Sequence, residues 1–234
     1  MMMGRIIYIL GPEGVGKTTQ ANLLAHYLHK RCRTRVVNIE IRSQNLLMHV
    51  MYKMLIKFGR VEYYKYPDTV LARLDRVFLS RVINIWLLLE AIAFLLAHLV
   101  KVVLLRFVGF TVILTRHVVD FLVDMYAMGL ACRRITRMHH ALTYVLSRLF
   151  TYDLVIYLDA EYESLVQRYR KRRSYTEPSN WVRFYRRLSL RLLSFICNFS
   201  SRKISQRVHY IDTSQNTAIK VFAKVLKALK PTYF

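Results

Sequence analysis

Residues 11–20 read GPEGVGKTTQ, and no other stretch of the chain restricts its fold so strongly. Gly11, Gly16, Lys17 and Thr18 stand at the spacing G-x-x-x-x-G-K-[ST]. Binding a phosphate requires several N–H donors aimed at one point, and glycine lets the backbone curl tightly enough to supply them. A helix opening directly after such a loop adds its unpaired N–H groups and the positive end of its dipole. The flanks satisfy that requirement. RIIYIL, just before, is an apolar, β-branched run suited to a strand buried on both faces. Just after, Ala21, Leu24, Ala25 and Leu28 recur at helical spacing. The stretch therefore predicts strand, phosphate-cradling loop and helix, with Lys17 reaching the β- and γ-phosphates of a nucleotide and Thr18 ligating Mg²⁺.

Four further runs predict strands: 35–41, 110–115, 153–158 and 207–212. Helical stretches separate them, and that alternation reads as an α/β fold with a five-stranded parallel sheet covered by helices on both faces. Ligands of such sheets gather at the carboxyl ends of the strands. Residues 11–19, Glu40–Arg42, Thr115–Arg116 and Asp159 are thereby placed on one rim. No linker divides the 234 residues, so a single domain over 1–234 is expected.

Composition narrows the partners. With 37 Lys+Arg against 14 Asp+Glu, the formal charge is +23, a field that attracts nucleotides, nucleic acids and acidic lipids alike. Twelve Lys/Arg and one acid, Glu177, lie between Ser164 and Tyr210. Cys32, Cys132 and Cys197 fall at no metal or redox spacing and read as free thiols in a reducing compartment. The N-terminus passes from MMMG straight into the first strand, so a cytoplasmic location is expected. Residues 83–105 are apolar enough to suggest a membrane span, yet Glu90, His98 and Lys101 interrupt them. A long core helix, or one facing a second copy, is the reading preferred. In WVRFYRRLSLRLLSF, Trp181, Tyr185, Leu188, Leu192 and Phe195 share one face, while Arg183, Arg187 and Arg191 share another. This predicts a core-packed helix with a solvated basic side. His139 and His140 read as surface residues.

Several segments together resemble the thymidylate kinase family of P-loop nucleoside monophosphate kinases: GPEGVGKTTQANLLAHYL, TRHVVDFLVDMYAMG, YDLVIYLDAEYESLVQRYRKR and VHYIDTSQN. The resemblance implies a P-loop NTPase fold, a homodimer, and transfer of the ATP γ-phosphoryl group to dTMP with Mg²⁺. Gly11, Pro12, Glu13, Gly14, Val15, Gly16, Lys17, Thr18 and Thr19 would form the donor site, and Thr18 would hold the metal. Because PEGV carries no arginine, the resemblance implies that catalytic arginines come from the lid, approximately 168–180. The candidates there are Arg168, Arg170, Arg172 and Arg173. Positioned Arg and Lys groups stabilise the charge that spreads over the transferring phosphoryl oxygens.

On the acceptor side stand Glu13, Glu40, Arg42, Arg116 and Asp120. Arg116 is read as a clamp for acceptor phosphate, against a structural ion pair with Asp120 or Asp124. Here the chain departs from the family pattern. Thr115 replaces the aspartate before Arg116, the glycine-rich loop after the second strand is absent, and no Asp-Arg pair occurs near Ala91–Leu95. ATP handling is kept while acceptor recognition is rebuilt, so the acceptor is expected to be dTMP or a related nucleoside monophosphate. The other reading is an ATP-binding interaction protein with little or no kinase activity, using its basic surface for nucleic acid or an acidic membrane. A kinase for another small phosphate acceptor or alcohol is a third.

Overall fold

The computed structural model describes residues 4–41, 53, 56–57, 61–65, 70–74, 76–150, 152–172, 177–199 and 208–233. Five parallel strands form the main sheet: β1 (Ile6–Leu10), β2 (Val36–Glu40), β5 (Thr111–Arg116), β6 (Leu154–Asp159) and β7 (Val208–Asp212). Their spatial order is β2-β5-β1-β6-β7. The three inner strands are the ones with unbroken apolar runs, because helices cover both of their faces. Side chains alternate accordingly. Ile6, Tyr8 and Leu10 enter one core, and Ile7 and Ile9 enter the other.

Helices α1 (Lys17–Cys32) and α7 (Ala218–Tyr233) cover the second core through Leu24, Leu28, Val225 and Leu229. The opposite face carries α2 (Arg76–His98), α3 (Val118–Ala131), α4 (Arg137–Leu149) and α6 (Ser179–Phe199). Their Leu87, Phe94, Leu122, Leu146 and Ile196 pack there with Tyr8 and Tyr157. Helix α5 (Tyr162–Arg172) follows β6 and carries Arg168 and Arg170. The amphipathic reading of α6 agrees with the packing: Tyr185 and Leu192 are buried, and Arg183, Arg187 and Arg191 are exposed.

Three features differ from the sequence reading or exceed it. An antiparallel hairpin, β3 (Val61–Lys65) with β4 (Val70–Leu74), was read as no strand at all. Val61, Tyr63, Tyr64 and Val70, on either side of the turn-forming pair Pro67-Asp68, are its signal in the sequence. His139 is fully buried rather than on the surface. Its Nδ1 accepts the Thr136 backbone N–H at 3.1 Å at the start of α4. Its ring packs where a Cβ on Gly129 would come within 2.4 Å of Nε2, so the glycine is what lets α3 and α4 approach. The apolar helix expected over 83–105, third, is present and longer, starting at Arg76 and running past His98. It continues through a π-helical turn, Leu99–Val103, into a final turn, Leu104–Phe107.

Candidate functional site

The loop between β1 and α1 has the conformation its glycines were expected to permit. Gly11 has φ 146°, and a Cβ there would lie 2.0 Å from the Leu158 carbonyl oxygen of the neighbouring strand, so no larger residue fits. Gly16 takes φ 98° as the N-cap of α1, and no side chain caps that end. The first-turn N–H groups of Lys17, Thr18 and Thr19 therefore have neither an intrahelical acceptor nor a capping oxygen, and no acid occupies the turn. That is a ready anion site. Lys17 is buried, and its Nζ donates to the Gly11 carbonyl at 2.5 Å and the Pro12 carbonyl at 2.9 Å. Burial pulls its ammonium below the usual lysine value. A nucleotide phosphate fits this cradle: among the described residues the buried cation hydrogen-bonds to neutral carbonyls, which a phosphate oxygen would outcompete. Among the described residues no group of three His, Cys, Asp or Glu is placed to hold a metal ion. Mg²⁺ here would rest on the exposed Thr18 hydroxyl and phosphate oxygens, in keeping with its preference for few protein ligands.

Beside the loop, the fold brings together three residues far apart in sequence. Arg116, at the end of β5, makes an ion pair with Glu13 of the loop and another with Glu40 at the end of β2, the latter through Nε at 2.9 Å. Parallel pairing of β2 and β5 sets Glu40 opposite Arg116 across an irregular register step. These partners are not the ones expected, since Asp120 and Asp124 were the acids weighed against a phosphate role for Arg116.

Asp120 is turned into the core, unlike the acceptor-binding position expected of it. Its Oδ2 accepts the Tyr8 hydroxyl at 2.5 Å and the His117 N–H at 3.1 Å, and its Oδ1 accepts the Tyr185 hydroxyl at 2.6 Å. A buried carboxylate needs such donors to repay desolvation, and here β1, α3 and α6 supply them. Asp124, one turn later on α3, is reached by solvent. The protein around it and the nearby Asp120 push its carboxyl up to about 7, against the pull of Arg116 and Lys17.

The arginines expected of a lid divide. Arg168 donates to the Gly14 carbonyl at 3.2 Å, the Thr213 hydroxyl at 3.1 Å and the Thr213 carbonyl. It thus ties α5 to the loop and to the turn after β7, the turn that the resemblance assigns to the adenine side. Arg170 is exposed on the same helix. The side chain of Arg172, and Arg42 and Arg173 altogether, lie outside the described residues. Glu177 was missed as a site residue. It accepts the Trp181 indole N–H at 3.1 Å. Burial raises its carboxyl, while the charges of Lys17 and Arg116 and the hydrogen bonds from Trp181 and Tyr169 draw it down. Its signal in the sequence was being the single acid of a strongly basic stretch.

No protein-family model matches the chain, and no curated protein matches it in sequence. Among solved structures it is similar to the thymidylate kinase of Candida albicans, with a TM-score of 0.59, 13% identity, and coverage of 98% of this chain and 92% of that one. The fold is thymidylate-kinase-like. At that identity the likeness concerns the arrangement of sheet, loop and helices, and activity and substrate rest on the site itself. The Candida structure is described as revealing the origin of that enzyme's broad substrate specificity and a novel structural element.

Proposed function

We propose that the protein is a nucleoside monophosphate kinase that transfers the γ-phosphoryl group of ATP, with Mg²⁺, to dTMP or a related nucleoside monophosphate. One observation carries the reading: the uncapped, glycine-shaped loop with buried Lys17 stands beside Arg116, which is held between Glu13 and Glu40 on the same rim. Bound ATP with its metal supplies the transferable phosphoryl group. Lys17 binds the β- and γ-phosphate oxygens, and Thr18 holds the metal. Arg116 exchanges a carboxylate partner for the acceptor phosphate, leaving Glu13 or Glu40 to orient a sugar hydroxyl. Arg168 holds the lid helix against the loop, and Arg172 follows one turn later. Reaction by positioning and charge stabilisation requires no covalent enzyme intermediate.

ADP formation measured across a panel of nucleoside monophosphates tests the assignment. The best acceptor should show saturable turnover, and Arg116→Ala should raise its KM about 10²-fold or more while ATP binding stays near wild type. No turnover with any monophosphate, with ATP still bound, would refute the assignment. Selective, efficient dTMP turnover would show that the altered acceptor residues leave recognition intact.

Asp124 gives that site a pH dependence. Asp124 lies within electrostatic reach of Arg116 and Lys17, and its carboxyl is neutral below about 7 and charged above it. The KM for the acceptor should therefore rise severalfold as pH passes upward through neutrality, and Asp124→Asn should flatten that rise. Superimposable KM profiles for the two proteins would remove Asp124 from the pocket.

A further inference from the structure

The long helix formed by α2 and its continuation presents an apolar stripe to solvent. Ile85, Leu88, Ile92, Leu96 and Leu99 are all exposed, at successive spacings of three or four residues that keep them on one side. Leu104 and Phe107 extend the exposure past the π-helical turn. From Ile85 to Leu104 the stripe runs about 29 Å. Helix α4 lies alongside and widens it. The Thr136 hydroxyl donates to Asn84 Oδ1 at 2.8 Å near one end, and the rings of His98 and Phe150 meet at 4.5 Å near the other. The two helices thus run parallel, and the exposed Val145 and Leu149 of α4 add to the apolar area. So wide a surface is unusual on a soluble monomer.

Charge narrows what covers it. Among residues 76–107 and 133–150 the single acid is Glu90, and it is buried, accepting the Trp86 indole N–H at 2.9 Å. The exposed charged residues of these segments are all basic: Arg81, Lys101, Arg133, Arg134, Arg137 and Arg148. A second copy docked through a twofold axis would set this patch against itself, bringing cations toward cations with no exposed acid in these two segments to pair them. Nucleic acid would suit the arginines and leave the leucines unused. An apolar band with a basic fringe is instead complementary to acyl chains below a layer of anionic headgroups. Arginine and lysine stems can lie on the apolar zone while their charged ends reach the phosphates.

We infer that this face seats the protein on an anionic lipid membrane, with the long helix lying along the surface. The helix does not cross the bilayer. Its inner side, through Ile83, Leu87, Ala91 and Phe94, belongs to the core between α3 and the sheet, and His98 Nδ1 meets His117 Nε2 at 2.8 Å. Insertion would strip those contacts away. The inference stands independently of the reaction proposed above.

Co-sedimentation of the full chain, without detergent, with phosphatidylcholine vesicles and with vesicles also containing phosphatidylglycerol provides the test. Binding should be strong only to the second kind and should weaken with salt. The double variant Ile92→Glu/Leu96→Glu should lower partitioning at least about tenfold, because charge is placed in the apolar band. Arg81→Glu/Arg137→Glu, at different positions, should weaken it about tenfold or more through the fringe alone. Unchanged thermal melting would show that each variant is folded. Failure of the wild type to bind anionic vesicles, or equal binding to both kinds, overturns the inference. So does a solution dimer that Ile92→Glu/Leu96→Glu dissociates while no vesicle binding is seen; a second copy would then be the occupant.

Discussion

Lys17→Ala is expected to lower phosphoryl transfer by at least about 10³-fold while leaving the fold intact. Lys17 is the one buried cation within the loop, and its Nζ lies against the Gly11 and Pro12 carbonyls, at the centre of the cradle that the helix terminus completes. Charge spreads over the phosphoryl oxygens in the transition state, so a fixed ammonium contributes more there than to ground-state binding. Stability should move little. Removing the side chain costs two hydrogen bonds to carbonyls but also relieves the burial of an ammonium, and the balance should stay within about 1 kcal/mol. Single-turnover rates, ATP titration and a thermal melt of the same preparation separate these effects. Wild-type transfer rates in the variant would remove the mechanism. A collapsed melt would mean that Lys17 supports the loop rather than the reaction.

The second large effect concerns stability. Glu90 lies in the core, 4% exposed, and burial raises its carboxyl from 4.5 to about 8, opposed by the Trp86 hydrogen bond. The folded protein keeps this proton over a range in which the unfolded chain has released it. Stability is consequently full below the unfolded value of 4.5 and is lost as pH climbs through the folded value of about 8. The loss should be on the order of 4 kcal/mol. Glu90→Gln preserves an acceptor for the indole and carries no charge. Denaturant midpoints should thus agree for wild type and variant near about pH 4 and draw apart as pH rises toward about 9, with the variant the more stable there. Curves that stay parallel over that range would show that the carboxyl does not titrate as described.

The two effects differ in how far the sequence foretold them. For Lys17 it foretold nearly everything, because the strand, the glycine positions and the helix are contiguous and each is specified by its neighbours. Glu90 announced itself only as an interruption in an apolar run. Its burial depends on α2 lying against α3, which local sequence does not encode. The same distinction runs through the site. Arg116 was placed on the functional rim, since a residue ending a parallel strand must lie there. Its partners Glu13 and Glu40 were each identified as acceptor-side residues, but their pairing with Arg116 was not. Asp120 was read as facing substrate, yet the helix turns it toward Tyr8 and Tyr185, and only packing against β1 and α6 shows that. Arg168 was read as a group for the reacting phosphates and is found bonded to the Gly14 and Thr213 carbonyls.

By itself the sequence determined the five-stranded parallel sheet, the phosphate loop and the rim on which both sit. Those features follow from near-neighbour patterns: unbroken apolar runs, helical periodicity and glycines at special backbone angles. The tertiary structure alone decided which acids face Arg116, which carboxyls are buried and shifted, why His139 is inside, and that the apolar helix leaves one side uncovered. Each depends on contacts between segments tens of residues apart, where the energy of a side chain is set by what the fold brings beside it rather than by its neighbours in the chain.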